Sequence, residues 1–247
     1  MTERSYTAPP IVDAVIELRF EDALSDADRE RVSKKLAPRY PLVEEGTKQE
    51  IGVHVEPHGI AVRTNLQDRI TKRRSVETAG IVQIGNHILG VATGAPYGGW
   101  NDLFERFVDD WSTAKKIWKY RRISRIGVRY INRIDLERDE AGLVEYENYL
   151  NLRINLPETF QPIYNYGLGF QSSIEEIKCG LTVRSESVEP AVPGRNSFTL
   201  DVDVWREVEV PQKGADVFEL LKQMRKGKND LFETFITDEA RKLFDAN

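Results

Sequence analysis

Between Lys115 and Arg133 the chain places Lys115, Lys116, Lys119, Arg121, Arg122, Arg125, Arg129 and Arg133 with no intervening acid, although its net charge is −5. Guanidinium forks meet phosphate oxygens two at a time, so a stripe of this kind suits a polyanion. Arg63, Arg69, Lys72, Arg73 and Arg74 make a second basic cluster. Trp118, Tyr120 and Tyr130 lie among the charges and offer rings for base stacking, but Trp118 and Tyr130 fall on the apolar sides of their elements. A plainer account competes with the polyanion reading. A helix C-terminus favours Lys and Arg through its dipole, and an exposed sheet face carries charge to stay solvated. With 40 acids against 35 bases, nucleic acid is not the favoured partner.

Period-two counting adds carboxylates to these cations. Glu17 with Arg19, Arg63, Arg125 with Arg129 and Arg133, Lys178 with Arg184, and Asp201 with Asp203 all alternate with apolar residues. Either the charged face meets water, or the strands close into a tunnel. In a tunnel, Arg63, Arg125, Arg129 and Arg133 are the candidate anion-binding residues, and Glu17, Asp201 and Asp203 the candidate Mg²⁺ ligands. That second arrangement resembles proteins of the triphosphate-tunnel type, and it implies a phosphate-ligand enzyme or sensor. The signature of those proteins places two Glu and a Lys at alternating positions of the first strand; here Glu17 is followed by Leu18 and Arg19.

Other motifs carry less. His54, Glu56 and His58 would share one face of an extended strand and suit zinc or iron, but Pro57 and Gly59 mark a turn that scatters them. His87, between Gly85 and Gly90, reads as a packed side chain. Cys179 alternates with Ile177, Leu181 and Val183, the setting of a buried inert thiol. Neither a Gly-x-Ser-x-Gly elbow nor a phosphate loop occurs, and Gly167-Leu168-Gly169 does not complete a dinucleotide fingerprint.

Apolar periodicity predicts the elements that must hold these side chains. Ala14, Ile16, Leu18 and Phe20 define a first strand, and Leu24-Ser25-Asp26 opens a helix that runs to about Leu36. Glu56-Pro57-His58-Gly59 turns a hairpin within 51–65, and 81–92 reads as one further strand. Asn101 is the expected cap of a helix with Phe104, Phe107, Val108, Trp111, Ala114 and Trp118 at helical spacing. Strands follow at 125–135, 164–174, 176–188 and 197–210, then a helix from about Asp216 that Gly227 weakens, and a short helix from Thr237. The plan is α+β: two similar halves, 1–135 and 163–247, joined by a linker at 136–162. Each is a curved antiparallel sheet packed by a long helix, or both close into one barrel-like sheet.

Composition sets the surroundings. At 247 residues with 40% hydrophobic, 30% charged and 9% aromatic residues, the chain can bury a core, and it holds no apolar run long enough to span a bilayer. One cysteine excludes an internal disulfide or a multi-cysteine metal centre, and Met1-Thr2-Glu3-Arg4 lacks the layout of a signal peptide, so a cytoplasmic location is expected. Four blocks then stand out: Pro9 to Phe20, Arg125 to Ile134, Leu200 to Trp205, and Leu231 to Glu239. In this order they resemble the shared blocks of a sporadically distributed bacterial family of uncharacterised proteins of about this length. The resemblance implies a bacterial cytoplasmic protein of the kind found among mobile-element, toxin–antitoxin or defence genes, and it carries no catalytic residue to these positions. The first function expected is a non-enzymatic scaffold that offers sheet faces or edges to a protein partner, without a cofactor. A homodimer is the commonest oligomer open to such a chain.

Overall fold

The computed structural model describes residues 4, 6–56, 59–137, 146–153 and 165–245, with backbone alone for 47–56 and 59–68. The strands are β1 (Ile11–Phe20), β2 (Leu42–Glu56), β3 (Gly59–Arg74), β4 (Gly80–Ile84), β5 (Ile88–Gly94), β6 (Ile123–Glu137), β7 (Gly167–Ile174), β8 (Cys179–Val188) and β9 (Arg195–Arg206). The helices are α1 (Asp26–Leu36), α2 (Trp100–Trp118), α3 (Gly214–Phe235) and α4 (Asp238–Asp245). The fold is α+β, as its patterning predicts. The strands form a single nine-stranded sheet in the order β2-β3-β4-β5-β1-β6-β9-β8-β7. Among the described residues it ends at β2 and β7 and does not close into a barrel, because those two strands have a described neighbour on one side only. Among the described residues no helix is long and apolar enough to cross a membrane.

Chain contacts divide the molecule into two compact units, and the division passes through β1 after Ala14 and through β6 after Ile126. The first unit comprises Val15–Gly94 and Gly98–Ile126. Its Ile16, Leu18 and Phe20 are buried on the alternating face that the sequence marks. Helix α1 starts where expected, with Ser25 Oγ accepting from the Asp28 N–H at 3.1 Å. Helix α2 buries Trp100, Leu103, Phe107, Trp111, Ala114 and Trp118, an apolar stripe at helical spacing. Its cap is Gly99, not Asn101; the backbone there has φ +102°, a conformation that favours a residue without Cβ, and no side chain caps the turn. The 81–92 run is two strands, β4 and β5, rather than one, since the chain reverses at Gly85-Asn86-His87 and pairs Ile84 with Leu89. Asp110 is fully buried on α2 and accepts from Tyr40 Oη at 2.7 Å and Arg39 Nη1 at 2.6 Å. Burial raises the Asp110 carboxyl and the Tyr40 phenol above their ordinary values.

The second unit comprises Met1–Ala14, Ala95–Tyr97 and Gly127–Asn247. Leu181, Val183, Phe198, Leu200, Val202 and Val204 of β8 and β9 are buried with Val217, Leu220, Leu221 and Met224 of α3. Helix α3 runs through Gly227 without a break. Beyond it, Lys228 is buried with Nζ 3.5 Å from the centre of the Tyr130 ring, a cation–π contact. Tyr6 packs edge-on to Phe244 at 5.3 Å and hydrogen-bonds Glu233 Oε1 at 2.6 Å, which fastens the N-terminal segment to the C-terminal helices. Of the 136–162 stretch, 138–145 and 154–162 lie outside the described residues; between them Tyr146–Asn148 forms a short 3₁₀ turn and Leu150 bridges to Ile236.

Candidate functional site

The polar face of the strands holds most of the residues that the sequence singles out, and it holds them in ion pairs. In the first unit, Glu17 accepts from Arg19 Nε at 2.7 Å and from Arg125 Nη1 at 3.0 Å, with Arg125 itself buried. In the second unit, Arg129 grips Asp201 with both arms of its fork, Nε to Oδ1 at 2.8 Å and Nη2 to Oδ2 at 2.6 Å. Arg184 adds a second cation at 3.7 Å from Asp201 Oδ2. The hydrogen bonds to Asp201 raise the Arg129 pKa above its usual value, with Asp203 and Asp13 adding to the field against the opposing effect of burial. Arg133 donates to Asp135 Oδ1 at 2.9 Å and to the Glu189 carbonyl at 3.1 Å, and Ser197 Oγ also hydrogen-bonds Asp135. At one end of this face the Trp205 indole lies over Gly180, where a Cβ would come within 2.5 Å of the ring, and its Nε1 donates to Thr182 Oγ1 at 3.2 Å.

Two of the candidate cations, Arg125 and Arg129, thus take two of the candidate metal ligands, Glu17 and Asp201, as partners, while Arg133 pairs with Asp135. A bidentate Arg–carboxylate pair satisfies both groups and leaves the Arg129 fork occupied. Among the described residues no group of three or more His, Cys, Asp and Glu side chains is arranged to hold a metal ion. The side chains of Arg63, His54 and Glu56, together with residue His58, lie outside the described residues. His87 Nδ1 sits 3.1 Å from the Phe20 carbonyl in the turn between β4 and β5. Cys179 is buried with Sγ 3.3 Å from the Ile177 carbonyl, and burial pushes its thiol up, away from a reactive thiolate. A cavity of about 590 Å³ beside α1 is lined by Arg29, Glu45, Arg69 and Thr71, and there too the charges are shared internally: Arg29 Nη1 donates to Thr71 Oγ1 at 2.8 Å and approaches Glu45 Oε2 at 3.4 Å.

The second unit also holds the feature that charge counting passes over. Strand β7, Gly-Leu-Gly-Phe-Gln-Ser-Ser-Ile, is an edge strand eight residues long with no charge and no proline. It pairs with β8 from Gly167↔Glu186 to Ile174↔Cys179 without a register shift. Natural edges are commonly blunted by charge, proline or a bulge, and β7 uses none of these. The ladder fixes which groups face outward. The Ser187 N–H donates to the Tyr166 carbonyl at 2.9 Å, one step before the Gly167↔Glu186 pair. Antiparallel ladders alternate, so Leu168, Phe170, Ser172 and Ile174 turn their N–H and C=O groups to β8, and Gly167, Gly169, Gln171 and Ser173 turn theirs out. Among the described residues no strand pairs with that outer edge.

Side chains divide the same way. Cys179, Leu181, Val183 and Ser185 of β8 are buried, and residues opposite each other in register share a face. Leu168, Phe170, Ser172 and Ile174 thus lie on the face covered by α3. The Phe170 ring stands edge-on to Phe235 at 6.2 Å yet is 37% exposed, and Ile174 lies beneath Gly227. One signal in the sequence marks this region: Thr159 to Ile174 contains no charged residue in a chain that is 30% charged. No protein-family model matches the chain, and no curated protein matches it.

Proposed function

We propose that the protein is a non-enzymatic interaction scaffold that takes up an extended protein segment on the outer edge of β7. One observation carries the reading: a regular, uncharged edge strand presents four residues' worth of outward backbone donors and acceptors beside a partly exposed Phe170. Strand addition at such an edge gains affinity from main-chain hydrogen bonds and specificity from alternate side chains. The reading includes a bacterial, cytoplasmic setting as an accessory, toxin–antitoxin or defence component. Its support is the resemblance of the four sequence blocks and the single, buried cysteine.

The alternative, a triphosphate-tunnel-like enzyme or sensor, draws less support. The sheet is open, Glu17 is engaged by two arginines, and Asp201 is engaged by Arg129. Native affinity capture with the wild-type chain and with Gln171→Pro tests the proposal. The expected result is a protein, further copies of this chain included, that the wild type retains and the variant loses. Equal retention by both baits, or an Mg²⁺-dependent thermal shift with tripolyphosphate that Arg129→Ala abolishes, overturns it.

A further inference from the structure

Resting on the reading of β7 as an interaction edge, we infer that its partner strand is β7 of a second copy, paired antiparallel across a two-fold axis that passes beside Phe170. The outward-facing residues Gly167, Gly169, Gln171 and Ser173 are spaced symmetrically about position 170. A two-fold at Phe170 sets Gly167 opposite Ser173 of the second copy and Gly169 opposite Gln171. Every outward N–H and C=O of β7 then finds a partner. Shifting the register by two residues leaves one end of each strand unpaired, and shifting it by one sets outward-facing residues opposite inward-facing ones.

The side chains agree with this register. Phe170 falls at a position without hydrogen bonds across the pair, where cross-strand side chains approach most closely, and it meets its own symmetry mate. Two aromatic rings opposed there form one of the stronger cross-strand pairs, on the face where Phe235 already lines the approach. Charge does not oppose the pairing. Strand β7 has none, and the acids Glu175 and Glu176 beyond one end come to the Asn165 end of the second copy rather than to each other. A foreign strand would have to supply an uncharged, regular, outward-facing segment of matching length; a second copy supplies one by symmetry, through an isologous interface.

Single cysteines in a Cys179→Ser background test the register, with sedimentation and amide exchange of the unaltered chain beside them. Under mild oxidation Phe170→Cys is expected to form a disulfide-linked dimer with a yield at least tenfold above Gln171→Cys, whose cysteine would lie on the other face and oppose Gly169. In the wild type, sedimentation is expected to show a dimer in which the Gly169, Gln171 and Ser173 amides exchange slowly. A dimer in which Gln171→Cys cross-links and Phe170→Cys does not, or in which those amides exchange freely, overturns the inference. A wild-type monomer with freely exchanging amides overturns it while leaving β7 an open edge for another strand. A wild-type monomer with protected amides overturns both the inference and the reading on which it rests.

Discussion

Among the described residues strands β2 and β7 each have a neighbour on one side only, yet they are composed on opposite principles. β2 carries Glu44, Glu45, Lys48, Glu50 and Glu56, and its pairing with β3 shifts register between Lys48 and Gln49. Its Glu45 is tied back to Thr71 Oγ1 at 3.0 Å and Glu44 to Arg74 at 3.4 Å. A second strand approaching β2 would meet repeated carboxylates and an irregular ladder, the features by which edges are kept from pairing. β7 has neither charge nor shift, and behind it stand Phe235 and the bare backbone of Gly227. The same sheet thus protects one edge and leaves the other chemically able to pair. The exposed Leu42 and Val43 at the start of β2 show that apolar exposure alone does not separate the two edges. Charge and regularity do.

The sharpest way to break the comparison is proline. Gln171→Pro removes an outward N–H while sparing the hydrogen bonds to β8, to which the backbone of residue 171 does not contribute. In a two-fold pair the loss occurs twice, at about 1 kcal/mol per hydrogen bond, so the dimer is expected to weaken about thirty-fold. Sedimentation over a concentration series measures this. Replacing Glu44 and Glu45 by Gln on β2 is expected to leave assembly unchanged. If the β2 pair alters assembly and Gln171→Pro does not, the roles of the two edges are reversed.

How far the sequence foretold this depends on the range of the interaction concerned. Alternation in Ile16, Leu18 and Phe20, the stripe from Trp100 to Trp118, and the Ser25 cap are local, and each is legible from spacing alone. The reversal at Gly85-Asn86-His87 was hidden by apolar residues on both sides of it, which let two short strands read as one. Period two sets Arg129 and Asp201 on polar faces, but that they face each other depends on β6 lying next to β9, a pairing 72 residues apart in sequence. The edge is of the same kind. An uncharged run from Thr159 to Ile174 is visible in the sequence, but whether it ends a sheet or fills its middle is set by topology, which spacing does not encode.

A smaller effect probes how β7 is anchored where it begins. Tyr166 stacks on Tyr146 with ring centres 4.6 Å apart and shares a 2.9 Å hydrogen bond with Ser185 Oγ. Burial pushes its phenol up to about 12. Because the folded value lies above the unfolded value of about 10, the neutral phenol stabilises the fold fully below that pH, and the contribution is lost as pH rises from about 10 toward 12. Tyr166→Phe is expected to cost about 1 kcal/mol at neutral pH through the lost hydrogen bond, and to flatten the alkaline fall in stability relative to wild type. Urea unfolding of both proteins at neutral and alkaline pH separates the two effects. An unchanged alkaline slope would mean that Tyr166 ionises as freely in the fold as outside it, and that the entry to β7 is as loose as its outer edge.

The smallest expected effect tests the other end. Gly227 lies within α3, and a Cβ there would stand 3.3 Å from Ile174 Cδ1 and 3.5 Å from Ile177 Cδ1. Alanine gains close to 1 kcal/mol over glycine inside a helix, while the new methyl must displace Ile174 by a few tenths of an ångström. The atom it meets is the far end of a flexible side chain on the last residue of an edge strand, which can yield. Gly227→Ala is therefore expected to stabilise the protein by about 0.5 kcal/mol, a rise of roughly 1–2 °C in Tm by thermal unfolding. A loss of stability instead would show that Ile174 is fixed against α3. The end of β7 would then be held as firmly as Arg29 and Thr71 hold Glu45 on β2, and the two edges would differ in charge and regularity but not in how they are fastened.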